Sequence, residues 1–494
     1  MLVWFLPVFL IFLMIGLPVF FALLIAPGLL LWLNGQERDI ALLYRNVYNG
    51  IDSFPLMALP FFMLAGELMN RGGITLRLVE FSQALMGHFR GGLAQVNILS
   101  SMLFAGLSGS AVADTSALGS TLIPAMEKNG YSRKFAAAIT AASSVIGPII
   151  PPSGIMIIYA YVMGESVAAL FLAGIVPGIM VGAGLMVMVR LLADRYDLPK
   201  AERIVNKDQT ISATEHWVSF VLLRINVAGV MVALSALISA VGLTLTLSGW
   251  FQMLIFLPVA HFLLMVLRPR VSHDFRIICK KAVAPLQTPI IILGGILIGV
   301  FTPTEASAVA VAYALVISFM VLRSMKLSDL PGILTKSALG SATVLLLVGA
   351  AVAFKTVVSL SHAPEQMAEF VLTLSENPYI LLFLINMLLF VVGMFLDAGP
   401  AIIILGPILG PVFVDLGVHP VHFAIIMSVN LTVGLATPPM GLVLFVASSV
   451  SGERVETISK AILPFLAVEI LVIFLITYIP AISMTIPRLT GFVQ

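Results

Sequence analysis

Long runs of apolar residues recur along the whole chain, and they constrain its fold more than any other feature. The runs lie near residues 2–33, 51–70, 133–162, 166–190, 217–245, 248–267, 282–301, 304–322, 337–361, 420–450 and 461–487. They are continuous, whereas the strands of a membrane barrel alternate in polarity over about ten residues. A helix needs about 20 apolar residues to cross the bilayer core. The runs therefore predict an all-α polytopic membrane protein, with 2–33 as its first span.

Composition and motifs exclude several classes of function. Charged residues make up 10% of the chain, whereas about 25% of a soluble protein is charged. The single cysteine, Cys279, excludes a disulfide within the chain and a cysteine-rich metal site. The seven histidines show no metal-ligand spacing, and no GxxxxGK[ST] phosphate loop occurs. We predict no enzyme activity, no cofactor and no nucleic-acid partner, with an ion gradient or a partner as the energy source.

Two apolar regions, 93–126 and 380–414, are interrupted near their middle by small and polar residues. The interruptions are Ser108-Gly109-Ser110 and Asp397-Ala398-Gly399-Pro400. The arms on either side are expected to be too short to cross the bilayer alone. Each region is therefore predicted to form a re-entrant helical hairpin.

Two full-length spans, 133–162 and 420–450, are predicted to be broken helices. Pro151-Pro152 interrupts the first span, and Pro438-Pro439 interrupts the second. Adjacent prolines remove two amide donors and clash with the preceding turn, so a continuous helix cannot pass through them. Irregular backbone at membrane depth is tolerated only against protein or a water-filled cavity.

An offset of 287 residues relates these four interruptions. The offset pairs residues of the same type in the two halves of the chain. The pairs are Gly106 with Gly393, Pro124 with Pro411, Gly130 with Gly417, Gly147 with Gly434, Pro151 with Pro438, Pro152 with Pro439, Gly154 with Gly441 and Pro177 with Pro464. So many coincidences without a gap indicate an internal repeat.

The basic residues indicate how the repeats are oriented. Six segments hold 21 of the 26 Lys and Arg residues, namely 71–92, 127–135, 190–216, 268–281, 323–336 and 451–460. By the positive-inside rule these segments and the N-terminus are expected to face the cytoplasm. The first hairpin would then enter the membrane from the cytoplasm and the second from outside. Such inverted repeats are typical of secondary transporters.

The interrupted helices predict where ligands bind. A broken helix places carbonyl groups of one half and N–H groups of the next near the bilayer midplane, which suits a cation and an anion respectively. We expect each hairpin tip to face the break of its own repeat. The predicted sodium-binding residues are Ser108, Ser110, Gly147, Asp397, Thr432, Gly434 and Thr437. The predicted substrate-binding residues are Gly109, Pro151, Ser153, Asn430 and Pro438.

Three further charged residues receive an interpretation. Asp114 is expected to cap the second hairpin arm, with ion ligation as the alternative. Lys355 is expected to extend to the outer surface, with an anion contact as the alternative. Glu305 is expected to cap the helix that follows it.

Several long stretches resemble the large membrane subunit of tripartite ATP-independent periplasmic (TRAP) transporters. They are LPFFMLAGELMNRGGI from residue 59, FAGLSGSAVADTSALG from 104, FAAAITAASSVIGPIIPPSG from 135, GGILIGVFTPTEASAVAVAYAL from 294, AIIILGPILGP from 401 and HPVHFAIIMSVNLTVGLATPPMGLVLFV from 419. With the flanking spans, the resemblance covers most of the chain outside about 200–280.

The resemblance implies a Na⁺-coupled symporter of the bacterial or archaeal inner membrane that works as an elevator. A periplasmic binding protein would deliver a carboxylate-bearing substrate, and a small four-helix membrane subunit would be a further partner. Residues 1–92 and 282–379 would form the scaffold, and 93–190 and 380–487 the transport domain. By motif match, the family's sodium and substrate sites fall on Ser108, Ser110, Asp397 and the two proline-containing breaks.

Residues 191–281 depart from the family pattern, in which a short cytoplasmic connection is usual. Two extra apolar segments within 217–267 are predicted to form a helical hairpin that packs on the scaffold edge or on a partner subunit.

Two other functions are the alternatives to a TRAP permease. A stand-alone Na⁺/anion symporter of similar architecture is the first alternative. An intramembrane enzyme or an assembly subunit is the second. Substrate, ion stoichiometry and oligomeric state stay open.

Overall fold

The structure, a computed structural model, describes residues 5–199, 211–240, 249–360 and 377–493, together with residues 369, 373 and 375. Within these residues the chain is helical and contains no strand, which confirms the predicted all-α fold. Nine of the described helices are long and apolar enough to cross a membrane, or ten if one bent pair forms a single span.

The helices up to the inserted segment are α1 (Phe5–Met14), α2 (Val19–Leu33), α3 (Glu37–Ile51), α4 (Ala58–Arg71), α5 (Ile74–Met86), α6 (Gly92–Ser108), α7 (Ala111–Lys128), α8 (Arg133–Ser144), α9 (Gly154–Met163) and α10 (Val167–Leu192). Those that follow are α11 (Ala213–Ala240), α12 (Gly249–Leu267), α13 (His273–Leu297), α14 (Pro303–Val316), α15 (Leu330–Leu360), α16 (Pro378–Phe395), α17 (Ala398–Asp415), α18 (Pro420–Gly434), α19 (Leu442–Ser451), α20 (Val455–Tyr478) and α21 (Ala481–Leu489).

The repeat inferred from glycine and proline spacing extends to whole helices. Adding 287 to the bounds of α7, 111 and 128, gives 398 and 415, which are the bounds of α17. The same addition takes α6 to α16, α8 to α18, α9 to α19 and α10 to α20, within three residues at each end. Five consecutive helices of one half therefore have equivalents in the other.

The two sets of equivalent helices pack on each other reciprocally. Helix α7 packs on α19 and α9 packs on α17, while α8 packs on α20 and α10 packs on α18. The first halves of the two broken helices, α8 and α18, are buried along nearly their whole length. They therefore form the centre of this ten-helix group.

Helices α2–α5 and α13–α15 form a second group beside the first, whereas α21 packs on α10 in the first group. Helix α3 packs on α15, α4 packs on α14, and α5 packs on α13. The two groups meet where α4 and α5 contact α6, and where α15 contacts α17.

Ion pairs join basic segments that are distant in sequence. Arg71 lies 3.9 Å from Asp329, and Arg90 forms an ion pair with Asp194. The predicted cytoplasmic segments that contain these residues therefore share one end of the helix bundle.

Two apolar runs that were predicted to be continuous are each divided into two helices. In the first run, of which residues 5–33 are described, Gly16 has a φ of 88° and Pro18 is the N-cap of α2. In the second run, 461–487, Pro480 separates α20 from α21. Proline lacks the amide donor that the preceding turn would need, so neither helix continues.

The hairpin arms are also longer than the sequence suggested. Helix α6 has 17 residues, and α7, α16 and α17 have 18 each. At about 1.5 Å per residue, 18 residues reach roughly 27 Å. The expectation that the arms are too short to span was wrong for the second hairpin, because α16 and α17 both qualify as spans by length and composition, whereas α6 and α7 do not. The re-entrant shape remains a prediction that depends on the tips.

The inserted segment forms the helices α11 and α12, which pack on each other. Helix α11 also packs on α13, so the insertion lies against the second helix group. Only 6% of the residues in the apolar span of α12 are buried, compared with 17% in that of α11. Residues 241–248, which connect the two helices, lie outside the described residues.

Candidate functional site

The tip of the first hairpin lies directly against the proline break of the same repeat. Gly109 has a φ of 60°, in the left-handed region. A Cβ atom at this position would lie 2.9 Å from the carbonyl oxygen of Pro152 and 3.3 Å from the backbone nitrogen of Gly154. Only glycine combines this conformation with such a close backbone approach.

The first arm of the second hairpin contacts the last turn of its own broken helix, just before the proline pair. A Cβ atom on Gly393 would lie 2.7 Å from the carbonyl oxygen of Leu431 and 3.0 Å from the Cα of Gly434. A Cβ atom on Gly434 would lie 2.6 Å from the Cα of Gly393. The two glycines therefore allow the backbones of α16 and α18 to touch. The expectation that a hairpin tip faces the break of its own repeat agrees with the contact of Gly109, and for the second tip it stays a prediction.

Both proline pairs lie in non-helical segments. Segment 145–153 separates α8 from α9, and segment 435–441 separates α18 from α19. The Pro151-Pro152 and Pro438-Pro439 peptide bonds are both cis. The C-termini of α8 and α18 and the N-termini of α9 and α19 therefore lie inside the bundle. Two continuous helices would have no terminus there.

Polar residues at the two tips cap the second arm of each hairpin. Ser110 is the N-cap of α7, and its Oγ accepts a hydrogen bond from the Ala113 N–H at 3.4 Å. Its repeat equivalent, Asp397, is the N-cap of α17 and accepts from the Ala398 N–H at 2.8 Å. Asp397 is exposed and Ser110 is half-buried. Both tips therefore present an oxygen that an ion can reach.

Gly147 contacts an acidic side chain of the first hairpin. A Cβ atom on Gly147 would lie 2.2 Å from Oδ2 of Asp114, whose side chain is fully buried. Ser110, and not Asp114, is the N-cap of α7, which corrects the capping interpretation of Asp114. Ser108 ends α6, and its side chain lies outside the described part of the structure.

The hydroxyl groups at the breaks already form hydrogen bonds within the protein. Thr432 and Thr437 each donate to the carbonyl oxygen four residues earlier, at 2.6 Å and 2.9 Å. Ser153 caps α9 and donates to the carbonyl oxygen of Pro148 at 2.5 Å. A hydroxyl that donates keeps acceptor lone pairs. All three side chains are buried and retain acceptor capacity for a ligand.

Asn430 belongs to a buried polar network. Its side-chain amide donates to Oδ1 of Asn386 at 2.7 Å, and the Asn386 amide donates to Oγ1 of Thr477 at 3.0 Å. The Oδ1 atom of Asn430 is buried and has no hydrogen-bond partner among the described residues. Asn430 therefore offers one acceptor to a ligand.

A second network surrounds Ser143, the repeat equivalent of Asn430. Its Oγ donates to Oδ1 of Asn97 at 3.0 Å and accepts from Oγ of Ser101 at 2.9 Å. The Asn97 amide donates to Oγ1 of Thr140 at 2.6 Å. Sequence reasoning missed Asn97, Ser101 and Asn386 as network members. A polar residue inside an apolar hairpin arm was the available signal.

Three charged side chains outside the breaks have environments that bear on the sequence interpretation. Glu469, which sequence reasoning missed, is fully buried in α20, and neither carboxylate oxygen has a hydrogen-bond partner in the described part of the chain. Lys355 does not extend to the surface, because its Nζ donates to the carbonyl oxygen of Val162 at 2.5 Å in the last turn of α9. Glu305 forms the expected capping box with Thr302.

The described residues contain no group of three or more His, Cys, Asp or Glu side chains that could hold a metal ion. The site instead offers hydroxyls, one exposed carboxylate and backbone carbonyls at helix ends. Oxygen donors of this kind suit a hard monovalent cation, and the N-termini of α9 and α19 suit an anion. An all-helical membrane bundle with such a repeated site defines the class of secondary transporters.

The chain belongs to a known transporter family. Residues 6–482 match the family described as "Tripartite ATP-independent periplasmic transporter, DctM component". The chain is therefore a TRAP transporter large permease subunit, which confirms the resemblance seen in the sequence.

Named relatives align over nearly their whole length. The chain is 33% identical to the C4-dicarboxylate TRAP transporter large permease DctM of Pseudomonas aeruginosa, over 94% of this chain and 92% of that protein. It is 34% identical to the sialic acid TRAP transporter large permease SiaM of Vibrio cholerae, over 96% of this chain and 95% of that protein. The uncharacterized protein YgiK of Salmonella typhimurium is 38% identical over 97% and 96% respectively. Because the relatives of named function are permeases, the prediction that this chain is not an enzyme is confirmed.

One solved structure shares the fold. The Alcanivorax borkumensis YdaH transporter superimposes with a TM-score of 0.56 and 16% identity, covering 89% of this chain and 88% of that chain.

Proposed function

We propose that this chain is the permease of a Na⁺-coupled TRAP transporter that imports a carboxylate-bearing solute across a bacterial inner membrane. The observation that carries the proposal is that the tip of the first hairpin lies against the proline break of its own repeat, while the first arm of the second hairpin contacts Gly434 at the start of its own break. These contacts bring helix C-termini and helix N-termini together inside the bundle. Partial negative charge at the former attracts Na⁺, and partial positive charge at the latter attracts a carboxylate.

Each repeat contributes one sodium site in this proposal. The first consists of Ser108, Ser110 and the backbone at Gly147. The second consists of Asp397, Thr432, Gly434 and Thr437. The substrate carboxylate lies between the two sites, next to Gly109, Pro151, Ser153, Asn430 and Pro438. The exposed carboxylate of Asp397 and the free acceptor of Asn430 support this assignment.

Transport proceeds in this proposal by an elevator movement. Helices α6–α10 and α16–α20 form the mobile transport domain, because their reciprocal packing joins both repeats into one body. Helices α2–α5 and α13–α15 form the scaffold. The N-terminus and the basic end of the bundle face the cytoplasm, in accord with the positive-inside rule.

Two partners complete the proposed transporter. A periplasmic binding protein delivers the solute, and a small four-helix membrane subunit binds the scaffold. The named substrates of DctM and SiaM, C4-dicarboxylates and sialic acid, both carry a carboxylate, which supports an organic acid as the solute.

Reconstitution into proteoliposomes tests the function. The chain, the small membrane subunit and the binding protein are combined with a labelled solute that the binding protein retains. We expect uptake only when all three proteins are present and an inward Na⁺ gradient is imposed. Uptake by the chain alone would favour the stand-alone symporter, and uptake that persists in a K⁺ gradient would contradict Na⁺ coupling.

A further inference from the structure

Two adjacent lysines on α13 face opposite electrostatic environments. Lys281 lies within electrostatic range of Arg77, Glu80 and Glu215. Arg77 forms ion pairs with both carboxylates, at 3.7 Å to Glu80 and 3.6 Å to Glu215. Two positive and two negative charges therefore balance on this side of α13.

Among the described residues, the charges that act on Lys280 are all positive. The charges that act on it are those of Arg224, Arg268 and Arg276. None of these four cations forms an ion pair with a carboxylate in the part of the chain that the structure describes. Four positive charges without a counter-charge repel one another, and the repulsion grows as the local dielectric constant falls.

Arg224 is the most deeply placed member of this basic cluster. It lies 11 residues after Ala213, the first residue of α11, which is roughly 16 Å along the helix axis. Its Nε donates to Nδ1 of His261 at 2.8 Å, and one terminal nitrogen donates to the carbonyl oxygen of Phe220 at 2.6 Å. Neither partner carries a negative charge, because one is an imidazole nitrogen and the other is a backbone carbonyl. The charge of Arg224 is therefore not cancelled.

The guanidinium of Arg224 lies over the ring of Phe220. Its central carbon lies 3.2 Å from the centre of the Phe220 ring, one turn closer to the start of α11. At that level Ser219 donates to the carbonyl oxygen of Lys280 at 2.5 Å, and Nζ of Lys280 lies 3.3 Å from Nδ1 of His216. These bonds hold α11 and α13 side by side, with Arg224 and Lys280 on neighbouring surfaces.

One donor of the cluster lacks a partner. The Nε atom of Arg276 is buried and forms no hydrogen bond within the described residues. A buried donor without a partner costs free energy that a bound acceptor would recover.

The surface next to the cluster is apolar and faces outward. Phe262 is 70% exposed, Met265 is 50% exposed and Val221 is 49% exposed. All three lie on the helices that carry Arg224 and His261. In a bilayer such side chains contact acyl chains. An anion that occupies the cluster therefore lies where the phosphate of a lipid meets its hydrocarbon chains.

We propose that Arg224, Arg268, Arg276 and Lys280 bind the phosphate of an anionic phospholipid, whose acyl chains lie along α12. Guanidinium groups match phosphate oxygens in geometry and charge, and basic pockets between membrane helices at the basic end of a protein suit anionic headgroups. The phosphate would neutralise the positive charge of the cluster, and the acyl chains would cover the exposed apolar face of the inserted hairpin. The site is independent of the proposed transport function.

Native mass spectrometry of the full chain, delipidated in detergent, tests this proposal. Phosphatidylglycerol and phosphatidylcholine are added separately at matched concentrations. We expect phosphatidylglycerol to be retained about tenfold more strongly. The double variant Arg224→Gln/Lys280→Gln should lose that preference, and the single variant Lys280→Gln, at the rim of the cluster, should weaken it. The control Lys128→Gln/Lys134→Gln removes two exposed charges elsewhere and should leave lipid retention unchanged.

Three results would overturn the proposal. Equal retention of the two lipids would do so, as would full retention of phosphatidylglycerol by the folded single variant. If inorganic phosphate at millimolar concentration displaced the lipid, or bound with equal affinity in its absence, the cluster would be a site for free phosphate. Circular dichroism of each variant establishes that it is folded before its lipid retention is compared.

Discussion

Ser143 and Asn430 occupy equivalent positions in the two repeats, and each links the first half of a broken helix to the first arm of its own hairpin. Ser143 donates to Asn97 on α6 at 3.0 Å, and Asn430 donates to Asn386 on α16 at 2.7 Å. One side chain is a serine and the other an asparagine, but the two positions are equivalent, and their partners lie on the equivalent helices α6 and α16. Hydrogen bonds therefore hold hairpin and broken helix together as one unit in each repeat.

The second of these links predicts a stability effect. Asn386→Leu removes one of the hydrogen-bond partners of the buried Asn430 amide and one of those of the Thr477 hydroxyl. We expect a loss of about 1–3 kcal/mol in the free energy of unfolding, because buried polar groups would lose hydrogen bonds. Thermal unfolding in detergent measures the change. The neighbouring, partly exposed Met387→Leu is the control, and equal melting temperatures for both variants would show that the network contributes nothing.

Because Gly393 and Gly434 are in contact, we expect that a single methyl group added at Gly393 impairs transport. Gly393→Ala places a Cβ atom 2.7 Å from the Leu431 carbonyl oxygen, so α16 and α18 must separate. We expect a several-fold loss of solute uptake, since a displacement of this kind misplaces the proposed ligands. Gly294→Ala, which meets no atom within 4 Å, is the matched control. Wild-type uptake by the Gly393 variant would contradict the role of this contact.

Removal of Lys355 is expected to destabilise the protein more than removal of Lys336, which lies on the same helix, α15. Its amine donates to the last turn of α9, where a positive charge complements the helix C-terminus. Lys355→Met should lower the free energy of unfolding by about 1–2 kcal/mol. Lys336→Met removes an exposed ion pair with Glu67 and should cost about 0–1 kcal/mol. Chemical denaturation compares the two, and a larger effect at Lys336 would refute the capping role.

We expect the fold to tolerate a neutral side chain at position 469. An ionised carboxylate buried without a hydrogen bond costs several kcal/mol, so an uncharged group of the same size should be accepted. We expect Glu469→Gln to unfold at the wild-type temperature or above, and Glu469→Lys to give little folded protein. Fluorescence-detected size exclusion measures the folded yield. A strong loss of folded Glu469→Gln would indicate that the carboxyl group itself binds a partner.

The sequence predicted the elements that depend on glycine and proline and missed those that depend on packing. Pro151 and Pro438 marked both breaks, because an imino acid cannot donate to a helix. The pairing of Asn386 with Asn430 has no such signal, since it depends on how α16 and α18 are placed in space. The capping of α9 by Lys355 was missed for the same reason. The arms of the second hairpin were expected to be shorter than they are, because an apolar run in the sequence does not show at which residue α16 begins.

The sodium assignment of Asp397 is the central claim, and the Na⁺ dependence of uptake tests it most directly. Asp397→Asn keeps an N-cap for α17 but removes the negative charge. We predict that the half-saturating Na⁺ concentration of the reconstituted transporter rises about tenfold or more in this variant. The control Asp415→Asn, at the far end of the same helix, should match the wild type. An unchanged Na⁺ response in Asp397→Asn would contradict the account.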